Sequence, residues 1–265
     1  MTWLSLAGWG TLAVCTVMLV LWLIHFAIHN AAIVDCGWGF NLALLGVGYA
    51  CLGGGFGLRA AMLGVMTAVW GVRLALYLLF DRIAGHPEEG RYQELRRKWK
   101  TNIGAKFLAF YQFQALLCVL MSTPFLIAAL NTAPRIHWLE LVAGGLWFVA
   151  IIGEIAADAQ LARFKRNTAN KGRTCQAGLW RYSRHPNYFF EWLIWVSLAL
   201  FASASPYGYL GWISPALMLY FLLRVTGIPA TEAQALRSRG DDYRRYQETT
   251  SSFIPWFANK LPKEF

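Results

Sequence analysis

The sequence predicts an all-α integral membrane protein with about seven transmembrane helices and no separate soluble domain. Of its 265 residues, 57% are hydrophobic and only 14% are charged, and the mean hydropathy is +0.40. These values lie outside the usual range of soluble domains. The apolar residues are also gathered into long segments, which favours a helical bundle in a bilayer.

Seven apolar segments reach or approach the roughly 20 residues that a helix needs to cross a hydrocarbon core. In chain order, they cover residues 3–24, 36–58, 60–80, 107–130, 138–157, 188–206 and 208–226. Only the turn-like stretch 203–209 divides the last two, which predicts a tight hairpin. The first segment has no basic residues before it and is too long for the apolar part of a signal peptide, so we expect it to be retained.

The basic residues predict the orientation of the bundle. Three segments, 82–106, 163–184 and 224–263, each hold seven of the 24 Lys and Arg residues. With seven spans, all three segments lie on one side of the membrane, and the positive-inside rule makes that side cytoplasmic. We therefore expect the N-terminus outside and the C-terminus in the cytoplasm. Since this distribution accounts for the net charge of +10, we expect no nucleic-acid partner.

The sequence gives no sign of a metal site, a disulfide or an obligate protein partner. The five cysteines form no Cys-x-x-Cys pair, and His25 and His29, although one helical turn apart, have no third ligand nearby. The glycine-rich run 53–57 follows no strand, so we interpret it as a turn rather than a phosphate loop.

Among the ionisable residues in or beside the predicted spans, five are the functional candidates, because a charge within a span is costly. Asp35 opens the second span, near its extracellular end if the helix starts there, or deeper in the membrane if the helix begins at His25. An ion pair with Arg73 and a catalytic role for either residue both fit the sequence. Glu154 and Asp158 share one helix face near the end of the fifth span, although Asp158 also fits an ordinary helix-end charge. Glu191 lies inside the sixth span.

The polar loop before the sixth span predicts an anion-binding site. Pro186 suits the first turn of that helix, where its missing N–H has no cost. The remaining free N–H groups of the helix start then point towards a loop that contains Arg173, Arg181 and Arg184, an arrangement that binds phosphate or carboxylate. A helix cap with ordinary interface charges is the simpler alternative.

Two further features complete the polar end. Asn187 and Glu191 are one helical turn apart, and an amide and a carboxylate on one face could hold a carboxamide or ribose hydroxyls. The segment after residue 227 is too polar to cross the membrane. It predicts either a lid, in which Tyr243 or Tyr246 stacks on a base or nicotinamide ring, or an interfacial helix.

Residues 178–191, GLWRYSRHPNYFFE, resemble a superfamily of membrane-embedded enzymes. It includes steroid 5α-reductases, sterol C14 and C7 reductases, and isoprenylcysteine carboxyl methyltransferases. The tail, with TGIP at 226–229, RSRGDDY at 237–243 and FIPW at 253–256, looks like the bacterial branch close to the steroid 5α-reductases. The specific part of the resemblance covers residues 154–256.

The resemblance leaves two cofactors to consider, NADPH for the reductases and S-adenosylmethionine for the methyltransferases. Asn187 followed by Glu191 resembles the reductase pattern Asn-x-x-x-Glu, and the many cations suit a pyrophosphate and a 2′-phosphate. Methyltransferases of this type usually carry a Glu-Glu pair in the tail, whereas Ala233 follows Glu232 here. We therefore favour an NADPH-dependent reductase over a methyltransferase acting on a lipid or prenylated cysteine, with a non-enzymatic transporter or lipid-binding protein as a third class.

By this resemblance, the chain is a single membrane domain in a bacterial inner membrane, with its cofactor side in the cytoplasm. Residues 1–130 would enclose a substrate cavity, and residues 131–265 would bind NADPH. The implied substrate is a 3-oxo-Δ4 steroid or an isoprenoid-like enone, with Asp35 as the catalytic acid. Because Trp70 occupies the loosely aligned tyrosine position, Tyr77 is the substitute candidate. The implied cofactor contacts are Glu154, Asp158, Arg163, Lys165, Arg173, Tyr182, Arg184, His185, Asn187, Tyr188, Glu191, Arg239, Tyr243 and Tyr246.

Overall fold

The computed structural model describes residues 2–88 and 90–257, and the described chain forms eleven α-helices and no strand. The helices are α1 Trp3–Ile28, α2 Ile33–Leu52, α3 Gly57–Leu78, α4 Gly90–Trp99, α5 Ile103–Met121, α6 Thr123–Ala129, α7 Trp138–Arg166, α8 Pro186–Ala202, α9 Ile213–Tyr220, α10 Ile228–Arg239 and α11 Asp241–Thr249. Short π-helical turns, Leu79–Ile83 and Phe221–Val225, follow α3 and α9. The all-helical prediction is confirmed.

Among the described residues, six helical segments are long and apolar enough to cross a membrane, which agrees with the predicted membrane character. They are Trp3–Ile28, Ile33–Leu52, Gly57–Ile83, Ile103–Met121, Trp138–Arg166 and Gly208–Arg239. The predicted span 188–206 corresponds to α8, which has only 17 residues. A count of seven spans and the direction of the chain across the membrane stay predictions.

The predicted fourth span, 107–130, is two helices rather than one. Helix α5 ends at Met121, and α6 begins at Thr123 with Pro124 in its first turn. Proline fits a first turn but lacks the N–H that a continuing helix would need, so the break falls where the sequence places this residue.

The chain divides into two compact units. The first comprises Met1–Leu141 and Ala199–Ser214, and α2 lies at its centre. Helices α2 and α3 approach closely because both carry small residues where they meet. A Cβ atom on Gly71 would lie 2.6 Å from the carbonyl oxygen of Gly39, and one on Gly46 would overlap the side chain of Thr67. Such contacts between small residues are typical of helices packed within membranes.

A buried ion pair, Arg59 with Glu140, joins the start of α3 to the first turn of α7. The two side chains are 1% and 0% exposed. Arg59 donates through Nε and Nη2 to the carboxylate, and its other donors reach the carbonyl oxygens of Asn131, Ala133 and Arg135 at 2.8–2.9 Å. All five guanidinium N–H groups are therefore used, and they fix the connection between α6 and α7. The sequence analysis singled out neither residue of the pair.

Removal of this carboxylate should destabilise the first unit strongly. Glu140→Ala leaves the Arg59 guanidinium buried without its counter-charge, and we expect a loss of about 3–5 kcal/mol of unfolding free energy, measured by denaturant titration in mixed micelles. The control is Lys98→Ala, which breaks an exposed pair with Glu94 and should cost less than about 1 kcal/mol. Equal effects of the two variants would contradict this structural role.

The second unit comprises Val142–Leu198 and Pro215–Phe265. Helices α7 and α8 pack closely, since a Cβ atom on Gly153 would overlap the ring of Phe190. The indole of Trp180 donates to the carbonyl oxygen of Ala157 at 3.0 Å and so anchors the 167–185 loop to α7. The indole of Trp192 donates to the carbonyl oxygen of Pro215 at 3.1 Å, which ties α8 to the start of α9. These contacts give the polar loop a rigid support.

Candidate functional site

Carboxylates of α7 and the amide of α8 come together in the second unit. Asn187 donates from Nδ2 to Asp158 Oδ1 at 3.2 Å, although 29 residues separate them in the sequence. Glu154 and Asp158 are 4% and 7% exposed. One turn further along α8, Glu191 accepts a hydrogen bond from the indole of Trp195 at 3.1 Å. The structure thus gathers into one unit the polar side chains that the sequence assigned to cofactor binding.

A pocket of about 280 Å³ lies beyond the end of α7, and four cations line it. This cationic pocket is defined by Lys165, Lys171, Arg173 and Arg239. Three of these residues were assigned to the cofactor from the sequence, whereas Lys171 was not. Lysines bind phosphate as point charges, and arginines bind it through paired N–H groups. The pocket is therefore suited to a ligand that carries several negative charges.

A compact turn presents the cations of this pocket. Asn167 caps a short 3₁₀ helix by accepting from the N–H of Ala169 at 3.0 Å, and Asn170 donates to the carbonyl oxygen of Phe164 at 2.9 Å. Gly172 follows with φ of +78°, a left-handed conformation in which residues other than glycine are strained. The chain reverses at this glycine, between the two cations Lys171 and Arg173.

Arg184 holds the C-terminal segment onto the loop before α8. Its Nε donates to Glu232 at 2.7 Å, and its Nη1 donates to the carbonyl oxygens of Gln247 and Thr250 at 2.9 and 2.6 Å. Glu232 also accepts from the side-chain amide of Gln247 at 2.9 Å. We call this set of Arg184, Glu232, Gln247 and Thr250 the tail lock. The sequence analysis placed Arg184 against the cofactor, whereas in this structure its guanidinium binds the tail.

Tyr243 and Tyr246, predicted to stack on a base or nicotinamide, are buried at 3% and 2% exposure. The hydroxyl of Tyr246 donates to the carbonyl oxygens of Trp180 and Ser183, and that of Tyr243 donates to Glu232. Burial, with a smaller contribution from Glu232, raises the pKa of Tyr243 to about 12. Both phenols therefore remain protonated donors that hold the tail, and the stacking role stays a prediction.

Three other predicted cofactor contacts lie outside the cationic pocket. Arg163 and Tyr182 are exposed. Tyr188 stacks on the ring of His185, with the centroids 5.3 Å apart, and its hydroxyl lies 3.1 Å from that of Thr231. The structure thus separates the predicted residues into an α7–α8 cluster, a cationic pocket and a tail lock, with a few exposed positions.

The first unit holds a second polar cluster, around Asp35. Its carboxylate accepts from the hydroxyl of Tyr92 at 2.9 Å, pairs with Arg91 and lies 3.9 Å from Arg82. Arg91 also donates to the hydroxyl of Tyr92 at 2.7 Å. Asp35 was placed near the extracellular end of its span, but it lies at the helix end that meets the basic 82–106 segment, which the charge distribution assigns to the cytoplasm.

Tyr92 is the partner of Asp35 that sequence reasoning missed. The side chain lies in α4, outside every predicted span, and 57 residues separate it from Asp35. The only signal in the sequence was an aromatic residue beside Arg91 in the basic 82–106 segment. Tyr77, the sequence-based candidate, lies in the last turn of α3, and its role stays a prediction.

The docking of the tail should weaken as the pH falls. His185 is buried, and burial lowers its pKa below the usual 6.5, although Glu232, 3.4 Å away, acts in the opposite direction. At a pH below the usual pKa of 6.5, the imidazole of His185 is protonated when the tail is undocked but stays neutral when the tail is docked. Docking is therefore strongest above that pH and weakens as the pH falls. We expect hydrogen exchange in Asp241–Thr249, corrected for the intrinsic rate, to increase between about pH 7.5 and 5.5.

His185→Gln should remove this pH dependence because glutamine does not titrate. The matched control is His86→Gln, at an exposed histidine, which should leave the pH response as it is in the native protein. An unchanged pH response in the His185 variant would show that another group controls the docking of the tail.

Comparisons with known proteins identify a family but no activity. No solved structure matches the chain at a significant level. An uncharacterized protein of Schizosaccharomyces pombe, C594.04c, is 28% identical over 191 residues, which cover 62% of this chain and 53% of that protein. The chain thus spans about half the length of this curated relative. A family model described as a protein of unknown function, DUF1295, matches residues 21–250. Because this match includes all but the two ends of the sequence, the chain belongs to the DUF1295 family.

Proposed function

We propose that this protein is an NADPH-dependent reductase of the C=C bond of a hydrophobic enone, such as a 3-oxo-Δ4 steroid. The observation that carries the proposal is the cationic pocket of Lys165, Lys171, Arg173 and Arg239, in the same unit as the Asp158–Asn187 pair. The substrate class rests on the resemblance of residues 154–256 to the steroid 5α-reductase branch. The expected location is a bacterial inner membrane, with the cofactor on the cytoplasmic side.

The charge of the pocket favours NADPH over S-adenosylmethionine. NADPH carries a pyrophosphate and a 2′-phosphate, which match a pocket lined by four cations. S-adenosylmethionine carries a sulfonium cation, no phosphate and a single carboxylate, so it offers four cations much less negative charge than NADPH does. The methyltransferase tail also uses a pair of glutamates, whereas here Glu232 is bound by Arg184 and the next residue is Ala233.

The residues of the second unit have separate tasks in this proposal. Lys165, Lys171, Arg173 and Arg239 hold the phosphates. Asn187 and Asp158, already hydrogen-bonded to each other, offer an amide donor and carboxylate acceptors for a carboxamide or ribose hydroxyls. When bound, NADPH supplies the hydride that reduces the double bond.

The family resemblance assigns to the Asp35 cluster of the first unit the hydrogen-bond donor for the carbonyl oxygen of the enone. Negative charge develops on that oxygen during conjugate reduction, and a donor directed at it lowers the barrier. Asp35 is an ion-paired carboxylate in this structure, so the donors of the cluster are the guanidinium of Arg91 and the hydroxyl of Tyr92. The single O–H of Tyr92 is donated to Asp35 here and would turn to the carbonyl oxygen when the enone binds. In this proposal, Asp35 orients Tyr92, and Tyr92 takes the place that the sequence gave to Tyr77.

The proposal is tested by incubating purified protein with progesterone and either NADPH or NADH. We expect NADPH oxidation together with a dihydro product, and a clear preference for NADPH. If none of several enones causes NADPH oxidation, the proposed reductase activity is contradicted. Binding of S-adenosylhomocysteine without binding of NADP would favour the methyltransferase instead.

The cationic pocket should set the affinity for the cofactor. Lys165→Gln combined with Arg173→Gln removes two charged donors, each worth roughly a 10- to 100-fold change in affinity, so we expect the Kd of NADP from calorimetry to rise by at least about 100-fold. The control is Arg166→Gln, at an exposed arginine on the same helix but outside the pocket, which should bind NADP normally. If both variants bind NADP equally, the phosphates are held elsewhere.

Tyr92 should affect turnover rather than cofactor binding. Tyr92→Phe removes the hydroxyl that contacts Asp35 and Arg91 but keeps the ring, and we expect kcat to fall by about 10²-fold or more while the Kd of NADP stays constant. Tyr77→Phe, assayed in parallel, separates the two tyrosines. Loss of turnover in the Tyr77 variant and not in the Tyr92 variant would return the donor role to Tyr77.

A further inference from the structure

The basic residues of the 163–184 segment do not all have the same surroundings. Lys165, Lys171 and Arg173 line the cationic pocket, and Arg184 forms the tail lock. The remaining three are exposed: Arg163, Arg166 and Arg181. The positive-inside rule accounts for their side of the membrane but gives them no specific contact.

An apolar groove of about 420 Å³ runs along α7, wholly within the second unit. We define it by Ile152, Gly153, Ala156, Gln160, Leu179 and Phe190. The groove owes its depth to a glycine, because a side chain on Gly153 would overlap the ring of Phe190. Its volume falls within the roughly 300–1,000 Å³ that small-molecule sites usually enclose.

The walls of this groove are suited to hydrocarbon rather than water. Phe148, Val149 and Ile152 border it and are 61%, 58% and 50% exposed, and α7 is long and apolar enough to cross a membrane. In a bilayer, these side chains contact lipid. The occupant of the groove must therefore have a long apolar part.

One end of the groove is polar, and two exposed arginines, Arg163 and Arg181, follow its lining residues Gln160 and Leu179 closely in the sequence. Gln160 accepts from the N–H of Leu179 at 2.8 Å, which joins the 167–185 loop to α7 at this point. Arg163 follows Gln160 by three residues and therefore shares its face of the helix. Arg181 follows Leu179 by two residues. Both arginines are exposed, and the side-chain amide of Gln160 adds N–H donors between them and the apolar walls.

We propose that this groove is a binding site for an anionic phospholipid. One acyl chain lies along Ile152, Gly153 and Ala156, and the phosphate and anionic headgroup lie at Arg163 and Arg181. Arginine binds phosphate through paired N–H groups, and anionic lipids attract basic residues at the cytoplasmic leaflet. The site is separate from the cationic pocket and does not depend on the proposed reductase activity.

The experiment measures lipid binding to the full-length protein by native mass spectrometry. Delipidated protein is titrated with phosphatidylglycerol and with phosphatidylcholine of the same acyl chains. Ala156→Trp fills the groove, and Arg163→Gln combined with Arg181→Gln removes the charged end. The matched controls are Ala61→Trp, at an exposed position of α3, and Arg245→Gln, at an exposed arginine of α11, both of which lie outside the groove.

We expect the native protein to bind phosphatidylglycerol more tightly than phosphatidylcholine. Ala156→Trp should lose the tightest site for both lipids. The double arginine variant should lose the preference for phosphatidylglycerol, by roughly fivefold for each arginine removed. The two controls should bind as the native protein does. Glycerol phosphate, which has no acyl chain, should not compete.

Three results would overturn the proposal. The first is equal affinity of the native protein for the two lipids, and the second is an unchanged preference in the double arginine variant. The third is displacement of bound lipid from this site by progesterone but not by phosphatidylglycerol, which would identify a substrate site instead. If Ala156→Trp does not fold, the arginine variant alone decides the question, since its changes are confined to exposed side chains.

Discussion

The arrangement of the second unit depends on one largely buried guanidinium. Arg184 lies directly before α8, and its side chain donates to Glu232 in α10 and to two carbonyl oxygens near the end of α11. A buried charge is tolerated only when its partners are in place, so this side chain favours one position of the tail relative to the loop. The cationic pocket depends on the same contact, since Arg239, one of its four cations, is the last residue of α10.

The tail lock also separates two roles that the sequence cannot distinguish. Arg173 and Arg184 both belong to the 163–184 segment, and from the sequence alone both are equally suitable phosphate ligands. In the structure, Arg173 lines an open pocket, whereas Arg184 uses its donors on a carboxylate and on main-chain oxygens. An arginine whose donors are satisfied within the fold has little left to offer a ligand, so the structure favours Arg173 for that role.

Much of the fold follows from hydropathy and from local rules. The length of the apolar segments predicted the helices, and Pro186 predicted the start of α8. What the sequence could not supply were pairings between distant residues. Arg59 meets Glu140 across 81 residues, and Tyr92 meets Asp35 across 57. Nothing in local sequence selects such partners, because the packing of the helices brings them together.

The candidate site was predictable to the extent that it obeys helix periodicity. Glu154 and Asp158 share a face of α7 by their spacing, and the side chain of Asn187 at the start of α8 does reach Asp158. Lys171 was missed because its place in the cationic pocket depends on the reversal of the chain at Gly172, which hydropathy does not reveal.

The distribution of charge along α7 gives the strongest physical argument for the kind of molecule that we propose binds here. Glu154 and Asp158 are two buried carboxylates of α7, and Lys165, which lines the cationic pocket, lies seven residues beyond Asp158. That spacing is about 10 Å along a helix axis. A ligand that fits this polarity is strongly anionic at one end and neutral or cationic at the other. A nicotinamide dinucleotide phosphate has that form, because its phosphates are anionic and its oxidised ring is positively charged. S-adenosylmethionine has only one carboxylate to offer four cations, and a free phosphate has no neutral or cationic end.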